Sequence, residues 1–233
     1  MGEQGVADGL AEAAVAPITT GMKVGLGAGR TAARAVRALG DRVRLEGLSI
    51  ECACASESAE ALAREQGLTV IDFATVEELD WLIDGADEVD SSMRLMKGSR
   101  GTLTRERMLA WASRNTVYMV LEDKVSEQIG THASLTIAVM YFGLASTRKA
   151  IGRLGINTVI RHDHKNEPFI TENGNLILDA ALRGNEDIEH IYTVLHEIPG
   201  VIDHGLFLHE ADTILIERER GSVERLERGP DED

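Results

Sequence analysis

Val24-Gly25-Leu26-Gly27-Ala28-Gly29-Arg30-Thr31 is the stretch on which the fold turns. Residues 23–26 read as a short buried strand, the three glycines as a tight turn, and residues 31–39 as a helix, which together make a strand, loop, helix unit. The pattern repeats outward from it. A helix over 7–15 precedes it, strands are expected over 47–53, 69–72, 81–84 and 116–121, and helices over 56–66 and 104–113, with a single helical turn over 76–79. Alternating elements of these lengths imply a parallel sheet covered by helices on both faces.

After about residue 130 the pattern changes. Strands over 135–141 and 158–161, helices over 147–154 and 188–195, and two strands, 169–171 and 176–180, around the turn Glu172-Asn173-Gly174-Asn175 describe a smaller α+β domain. The Asn-Gly pair predicts a type I′ hairpin turn, in which both central residues take positive φ. Strand character returns over 206–208 and 213–217, and the tail from Glu227 reads as frayed. The fold class is therefore α/β, with a Rossmann-like parallel sheet over 1–130 and 206–233 and a smaller α+β, ferredoxin-like domain over 131–205.

Composition narrows the function. At 233 residues and 43% apolar content the chain can bury a substantial core. A formal charge of −15, from 39 acidic against 24 basic residues, argues against a nucleic-acid or anionic-membrane surface, so an anionic substrate must meet a local positive pocket. Cys52 and Cys54, spaced i, i+2, share one face of a strand and match no zinc ligand set; they read as ordinary buried thiols. No basic-then-apolar leader opens the chain, and the longest apolar run, 137–145, is about half of the roughly 20 residues that a membrane helix needs. A soluble cytoplasmic protein is expected.

Three loops carry the chemistry. In the first, glycines between strand and helix let several N–H groups at the helix start face one anion, so a phosphate fits there. A dinucleotide fingerprint fails because Arg30 holds the third glycine position, and a Walker P-loop fails for want of Gly-Lys-Ser/Thr; a merely tight turn is the competing reading. The second loop, Asp84-Gly85-Ala86-Asp87-Glu88-Val89-Asp90, sets four carboxylates at the carboxyl end of a strand, where open α/β sheets hold their ligands. Solvated surface charge is its plain alternative, and the spacing matches no calcium loop. The third places Lys97 before Gly98-Ser99-Arg100-Gly101 and opens a helix, with Thr102 or Thr104 as candidate N-cap and Glu106 in or near the first turn. A carboxylate there suits a general base, or else merely stabilises the helix.

In this order and spacing the loops resemble the ribose-5-phosphate isomerase family of the A type. The family's G-x-G-T-G-S-T, D-G-A-D-E and K-G-G-G-x-x-L-T-R-E-K patterns are matched by residues 25–31, 84–88 and 97–107, and the similarity continues through 170–179, 198–202 and 205–207. The resemblance implies an aldose-ketose isomerase acting on ribose 5-phosphate and ribulose 5-phosphate, with Glu106 shuttling a proton between C1 and C2 through an enediolate. Lys97 would neutralise charge on the carbonyl oxygen, and Asp84 and Asp87 would act on sugar hydroxyls, Asp84 helping to open the ring. Ala28, Gly29, Arg30, Thr31 and Lys124, with Gly98, Ser99 and Arg100, would hold the sugar phosphate or its hydroxyls. No metal and no organic cofactor is implied, and a homodimer or homotetramer is. The family's Thr and Ser are here Ala28 and Arg30, its Lys-Gly-Gly-Gly is Lys97-Gly98-Ser99-Arg100, its Asp-x-Ser-Lys is Leu121-Glu122-Asp123-Lys124, and its P-V-E-V is Thr136-Ile137-Ala138-Val139. Those departures keep open a sugar-phosphate-binding relative without efficient turnover, or an isomerase of a different phosphorylated sugar.

Overall fold

The computed structural model describes residues 8–184 and 186–229. In chain order the elements are α1 (Gly9–Val15), β1 (Lys23–Leu26), α2 (Gly29–Glu46), β2 (Glu51–Cys54), α3 (Glu57–Glu65), β3 (Thr69–Val70) and β4 (Trp81–Gly85). Then come β5 (Glu88–Asp90), β6 (Leu95–Met96), α4 (Leu103–Trp111), β7 (Thr116–Leu121), β8 (Val125–Ser126) and β9 (Leu135–Val139). The remainder are α5 (Leu144–Gly152), β10 (Thr158–Ile160), β11 (Leu176–Ala180), α6 (Ile188–Glu197), β12 (Val201–His204), β13 (Leu206–Phe207), β14 (Thr213–Glu217) and β15 (Val223–Glu227).

Two compact units result. Within the described residues the first runs to Gly85, resumes over Met108–Asp123 and closes from Glu210; the second holds Ala86–Arg107 and Lys124–His209. The first is a seven-stranded sheet in the order β15-β14-β7-β4-β1-β2-β3, parallel throughout except for β15 at its edge. Strand order reverses between β1 and β4, the kind of switch point at whose carboxyl ends open α/β sheets hold their ligands. Val24 and Leu26 of β1 face a core built with α1, α2 and α3. Gly25 faces the other way, toward Leu79, Leu82 and Leu109 of α4, so helices cover both faces as expected.

Helix α2 shows why the elements form. Its buried residues, Ala32, Ala35, Val36, Leu39 and Gly40, recur at helical spacing on one face. Burying a side chain such as Leu39 is worth about 1.5–3 kcal/mol. The helix runs seven residues past the expected end at Leu39 because Gly40 packs rather than terminates it. The stop is Gly47, left-handed at φ 71°, whose N–H reaches the Arg42 carbonyl.

In the second unit, β9-α5-β10-β11-α6-β12 forms an antiparallel sheet in the order β10-β11-β9-β12, the split βαβ arrangement of ferredoxin-like domains. Its helices and strands enclose a separate core around Ile137, Leu178, Ile191 and Leu195. A small mixed sheet, β13-β6-β5-β8, completes the unit. That sheet explains why 86–107 groups here and not with residues 1–85, as the sequence division had it. Its strands are two or three residues long, too short for periodicity to reveal.

Other expectations shift locally. The helical turn lies at Phe73–Thr75 rather than 76–79, because the Asp72 carboxylate caps it by accepting from the Ala74 N–H. In the 172–175 turn only Gly174 has positive φ, so it is not type I′, and β11 pairs mainly with β10 and β9 while Ile170 makes a single bridge. Glu227 ends β15, paired with β14, instead of fraying. The expected helix start at Ala7 and the last four tail positions, 230–233, fall outside the described residues.

Gly40 gives a test in which two effects oppose each other. Alanine would gain up to about 1 kcal/mol of helix propensity. Its Cβ, however, would meet Gln66 Cβ at 2.7 Å and the Gln66 carbonyl oxygen at 2.9 Å, and such overpacking costs about 1–3 kcal/mol. Gly40→Ala should therefore lower the melting temperature by roughly 2–6 °C. A rise would show that α2 and Gln66 separate freely.

Candidate active site

In the first unit, β1 ends at Leu26 and α2 begins at Gly29, so Gly27 and Ala28 form the whole connection. Ala28 sits at the N-cap in extended conformation and has no side-chain oxygen, leaving the N–H groups of the first turn without a side-chain cap. Asp84, at the end of neighbouring β4, is fully buried, and its Oδ1 accepts from the Gly85 N–H at 2.7 Å. A Cβ on Gly27 would fall 1.9 Å from that Oδ1, so only glycine lets the carboxylate lie against the loop. Thr31 packs over Gly85, whose hypothetical Cβ would be 3.4 Å from Thr31 Cβ. Asp84, Gly29 and Thr31 thus gather at the carboxyl ends of β1 and β4, where the strand order reverses. Arg30, on the first turn of α2, is exposed and makes no hydrogen bond or ion pair among the described residues.

The second unit holds the rest. Lys97 and Glu106 are 3% and 4% exposed, and Lys97 Nζ lies 3.5 Å from Glu106 Oε2. Glu106 Oε1 accepts from the Thr102 hydroxyl at 2.9 Å, and the Glu106 N–H donates to the Thr102 carbonyl at 3.1 Å. Thr102 therefore precedes the helix as expected, but its hydroxyl orients the carboxylate of Glu106. Gly98 and Gly101 turn the intervening loop at φ 107° and 81°. Ser99 donates from its N–H (2.9 Å) and its hydroxyl to the Asp87 carboxylate. Arg100 is exposed and makes no hydrogen bond or ion pair among the described residues, and Lys124 is half-buried at the end of the Glu122–Lys124 turn.

The four carboxylates of the second loop divide by role. Glu88 is fully buried and accepts from four successive N–H groups, those of Gly130, Thr131, His132 and Ala133, at 2.8–3.2 Å. Asp90 accepts from the Ser92 and Arg94 N–H groups and pairs with the Arg94 guanidinium at 2.7 Å. Both shape loops, as Asp87 does through Ser99.

Sequence reading missed the arginines that hold these loops. Arg161 donates to the carbonyls of Gly98 and Ser99, each at 3.0 Å, while its other nitrogens grip Asp179 and the Thr136 hydroxyl. Arg105 reaches Glu172 and Asn173, and Arg107 reaches Asp203. Burial pushes the Asp203 carboxyl above its ordinary value, with Arg107 pulling it back, and burial with the neighbouring Arg107 charge pushes His204 well below its own. No local pattern marks such arginines, because their partners lie 18 to 99 residues away.

A glycine loop at a switch point and a buried Lys-Glu pair at a helix start are the features whose spacing resembled one family, and whole-chain comparison bears on the same point. The sequence model of ribose 5-phosphate isomerase A (phosphoriboisomerase A) matches residues 51–221. Ribose-5-phosphate isomerase A of Thermomicrobium roseum is 38% identical over 229 residues, covering 98% of this chain and 96% of its own. Ribose-5-phosphate isomerase A 1 of Oceanobacillus iheyensis is 38% identical over 205 residues, covering 88% and 91%. Among solved structures, a D-ribose-5-phosphate isomerase in complex with phospho-erythronic acid superimposes with a TM-score of 0.90 at 30% identity, over 95% of this chain and 97% of that one. Ribose 5-phosphate isomerase A of Methanocaldococcus jannaschii gives 0.88 at 31% identity, over 94% and 96%. On this likeness of sequence and fold along nearly its whole length, the chain belongs to the ribose 5-phosphate isomerase A family.

Proposed function

We propose that this protein interconverts ribose 5-phosphate and ribulose 5-phosphate, and that the buried Lys97-Glu106 pair is its catalytic centre. The observation that carries the assignment of roles is that pair, 3.5 Å apart and nearly excluded from water. Glu106 takes the C2 proton from the open-chain aldose, the electrons of that C–H bond form the C1–C2 double bond of the enediolate as charge moves to O1, the O2 hydroxyl proton passes to O1, and Glu106 delivers its proton, in part exchanged with solvent, to C1 as O2 becomes the ketone oxygen. Lys97 donates to the oxygen on which negative charge develops, an interaction worth about 10²–10³ in rate at comparable sites. Asp84 assists ring opening and Asp87 orients hydroxyls. The uncapped start of α2 receives the phosphate through Gly29, Arg30 and Thr31, with Lys124, Gly98, Ser99 and Arg100 as further contacts. A protein that only bound the sugar would gain nothing from burying an ion pair, whose desolvation costs several kcal/mol per ion.

Glu106→Gln keeps the shape and the bond from Thr102 but cannot accept a proton. Turnover and exchange of the C2 proton with solvent should fall by about 10²–10⁴, with sugar-phosphate binding retained. Near-normal exchange would remove Glu106 from the mechanism.

Arg30 stands where the family has serine, and its guanidinium is uncommitted among the described residues. Arg30→Ala should raise KM about tenfold, roughly 1.4 kcal/mol of lost binding, with a smaller effect on kcat. If KM does not move, the phosphate ligand lies elsewhere, and Arg100 and Lys124 follow.

The protein works as a homodimer or homotetramer in the cytoplasm. Tyr141 and Phe142, 77% and 87% exposed, stand beside Met140 at the end of the buried strand β9. No described helix is long and apolar enough to cross a membrane. Light scattering should give at least twice the 25.3 kDa chain mass, and a monomer mass at all concentrations would reject the assembly. Cell fractionation tests the location.

A further inference from the structure

The Lys97-Glu106 pair is joined to a single backbone segment, residues 203–207, from both of its ends. On the lysine side, the Lys97 N–H donates to the Gly205 carbonyl at 2.8 Å, and the Gly205 N–H donates to the Thr136 carbonyl at 2.7 Å. A Cβ on Gly205 would come within 2.1 Å of the Lys97 carbonyl oxygen, so the two backbones touch with no side chain between them. On the glutamate side the link is Arg107, the residue that follows Glu106 in α4. Arg107 Nη2 donates to the carbonyls of His204 (2.6 Å) and Leu206 (2.8 Å), and its Nε donates to Asp203 Oδ1 at 2.8 Å. Its guanidinium carbon lies 3.9 Å from the centroid of the Phe207 ring, and that ring is also 5.7 Å from Lys97 Nζ.

We infer that Arg107 is a positioning residue: by clamping the first turn of α4 to residues 203–207, the segment that holds the Lys97 backbone, it sets the distance and angle between Lys97 and Glu106. The inference rests on the catalytic reading of that pair. Three directed bonds plus ring stacking fix a planar guanidinium in place and in orientation, which a flexible ammonium cannot reproduce. Asp203 is 4% exposed and shares Oδ1 with the His204 N–H at 2.7 Å, so the clamp's anchor is itself fixed. A buried Arg-Asp pair is a poor source of stability compared with apolar side chains of the same volume. What it supplies is geometry, and displacing a reacting group by about 1 Å can cost about 10² in rate.

The test compares Arg107→Ala, Arg107→Lys and Asp203→Asn with the parent and with Glu106→Gln, at a temperature where circular dichroism shows each to be folded. Per folded molecule, Arg107→Ala should lose about 10- to 100-fold in kcat with KM changed less than about threefold, because substrate contacts are intact while the base is misplaced. Arg107→Lys, which keeps the charge but not the fork, should fall between the two. Placing Arg107→Ala in the Glu106→Gln background should cost less than about threefold more, since Arg107 acts through Glu106. If Arg107→Ala does not fold, Arg107→Lys and Asp203→Asn carry the test, each with an expected loss in kcat of about 3- to 10-fold at unchanged KM. Unchanged kcat per folded molecule, a rise in KM alone, or full additivity with Glu106→Gln would each overturn the inference. An inactive Glu106→Gln beside an unaffected Arg107→Ala overturns it alone, whereas near-normal turnover in Glu106→Gln overturns the catalytic reading and the positioning role with it.

Discussion

Two opposite charges held 3.5 Å apart and nearly out of water are the constraint around which the second unit is organised. Each ion loses several kcal/mol of hydration on burial, and their mutual attraction offsets this only where geometry is good and the remaining polar atoms are bonded. The surroundings of Lys97 and Glu106 meet those conditions piece by piece. Thr102 donates to one Glu106 oxygen, Gly205 accepts the Lys97 N–H, and Gly98 and Gly101 turn the loop that carries the lysine back to the helix that carries the glutamate. Those turns need glycine for a second reason besides positive φ. A Cβ on Gly98 would strike Thr136 at 2.7 Å, and one on Gly101 would strike the Phe169 ring at 2.5 Å.

In this acidic chain the loops are held by arginines whose charges are already committed. Arg161, Arg105 and Arg107 each combine a carboxylate or amide partner with backbone carbonyls. The planar guanidinium offers five donors in a fixed fork, where a lysine has three on a flexible stem, so one arginine can hold a carboxylate and backbone carbonyls in a set geometry. In the first unit Arg34 works in the same way, bridging Asp8 at the start of α1 to Glu217 at the end of β14. Arg30 and Arg100 differ from these. They are exposed, and without hydrogen bond or ion pair among the described residues they keep their charge for whatever approaches.

What could be read from the sequence was local. β1, β7 and β14 were expected with the bounds they have, since each is a continuous apolar run with clear ends. The glycine loop, Asp84 and the Lys97-Glu106 segment were legible for the same reason: a turn, a strand end and a helix start are marked by the residues that form them. The small sheet β13-β6-β5-β8 was not legible, because strands of two or three residues carry no periodicity and pairing at long range leaves no local trace. Nor could the four carboxylates of 84–90 be told apart. Glu88 is distinguished from Asp87 only by the four N–H groups of residues 130–133, about forty positions away. Helix α2 was cut short because a glycine in mid-helix is ordinarily a weak point, and only the contact with Gln66 shows why Gly40 is there.

Departures from the family pattern fall in both loops, Ala28 and Arg30 in the first and Ser99 and Arg100 beside Lys97, but their surroundings differ. Around Lys97 and Glu106 the loop is tied by the Thr102 hydroxyl and the Arg161 guanidinium, and a side chain at Gly98 or Gly101 would meet Thr136 or Phe169, so a change at those glycines disturbs several neighbours at once. At the start of α2 the chain needs only a helix N-terminus with open N–H groups, and Ala28 leaves them open because it has no oxygen with which to cap them. An alanine in place of a capping residue costs about 1 kcal/mol of helix stability, but it also removes a group that would compete with an incoming anion for the same donors. Arg30, one residue into the helix, brings a full positive charge to that same first turn. Loss of side-chain hydroxyls and gain of a guanidinium thus fall on one helix start, leaving there the backbone N–H groups and a full positive charge.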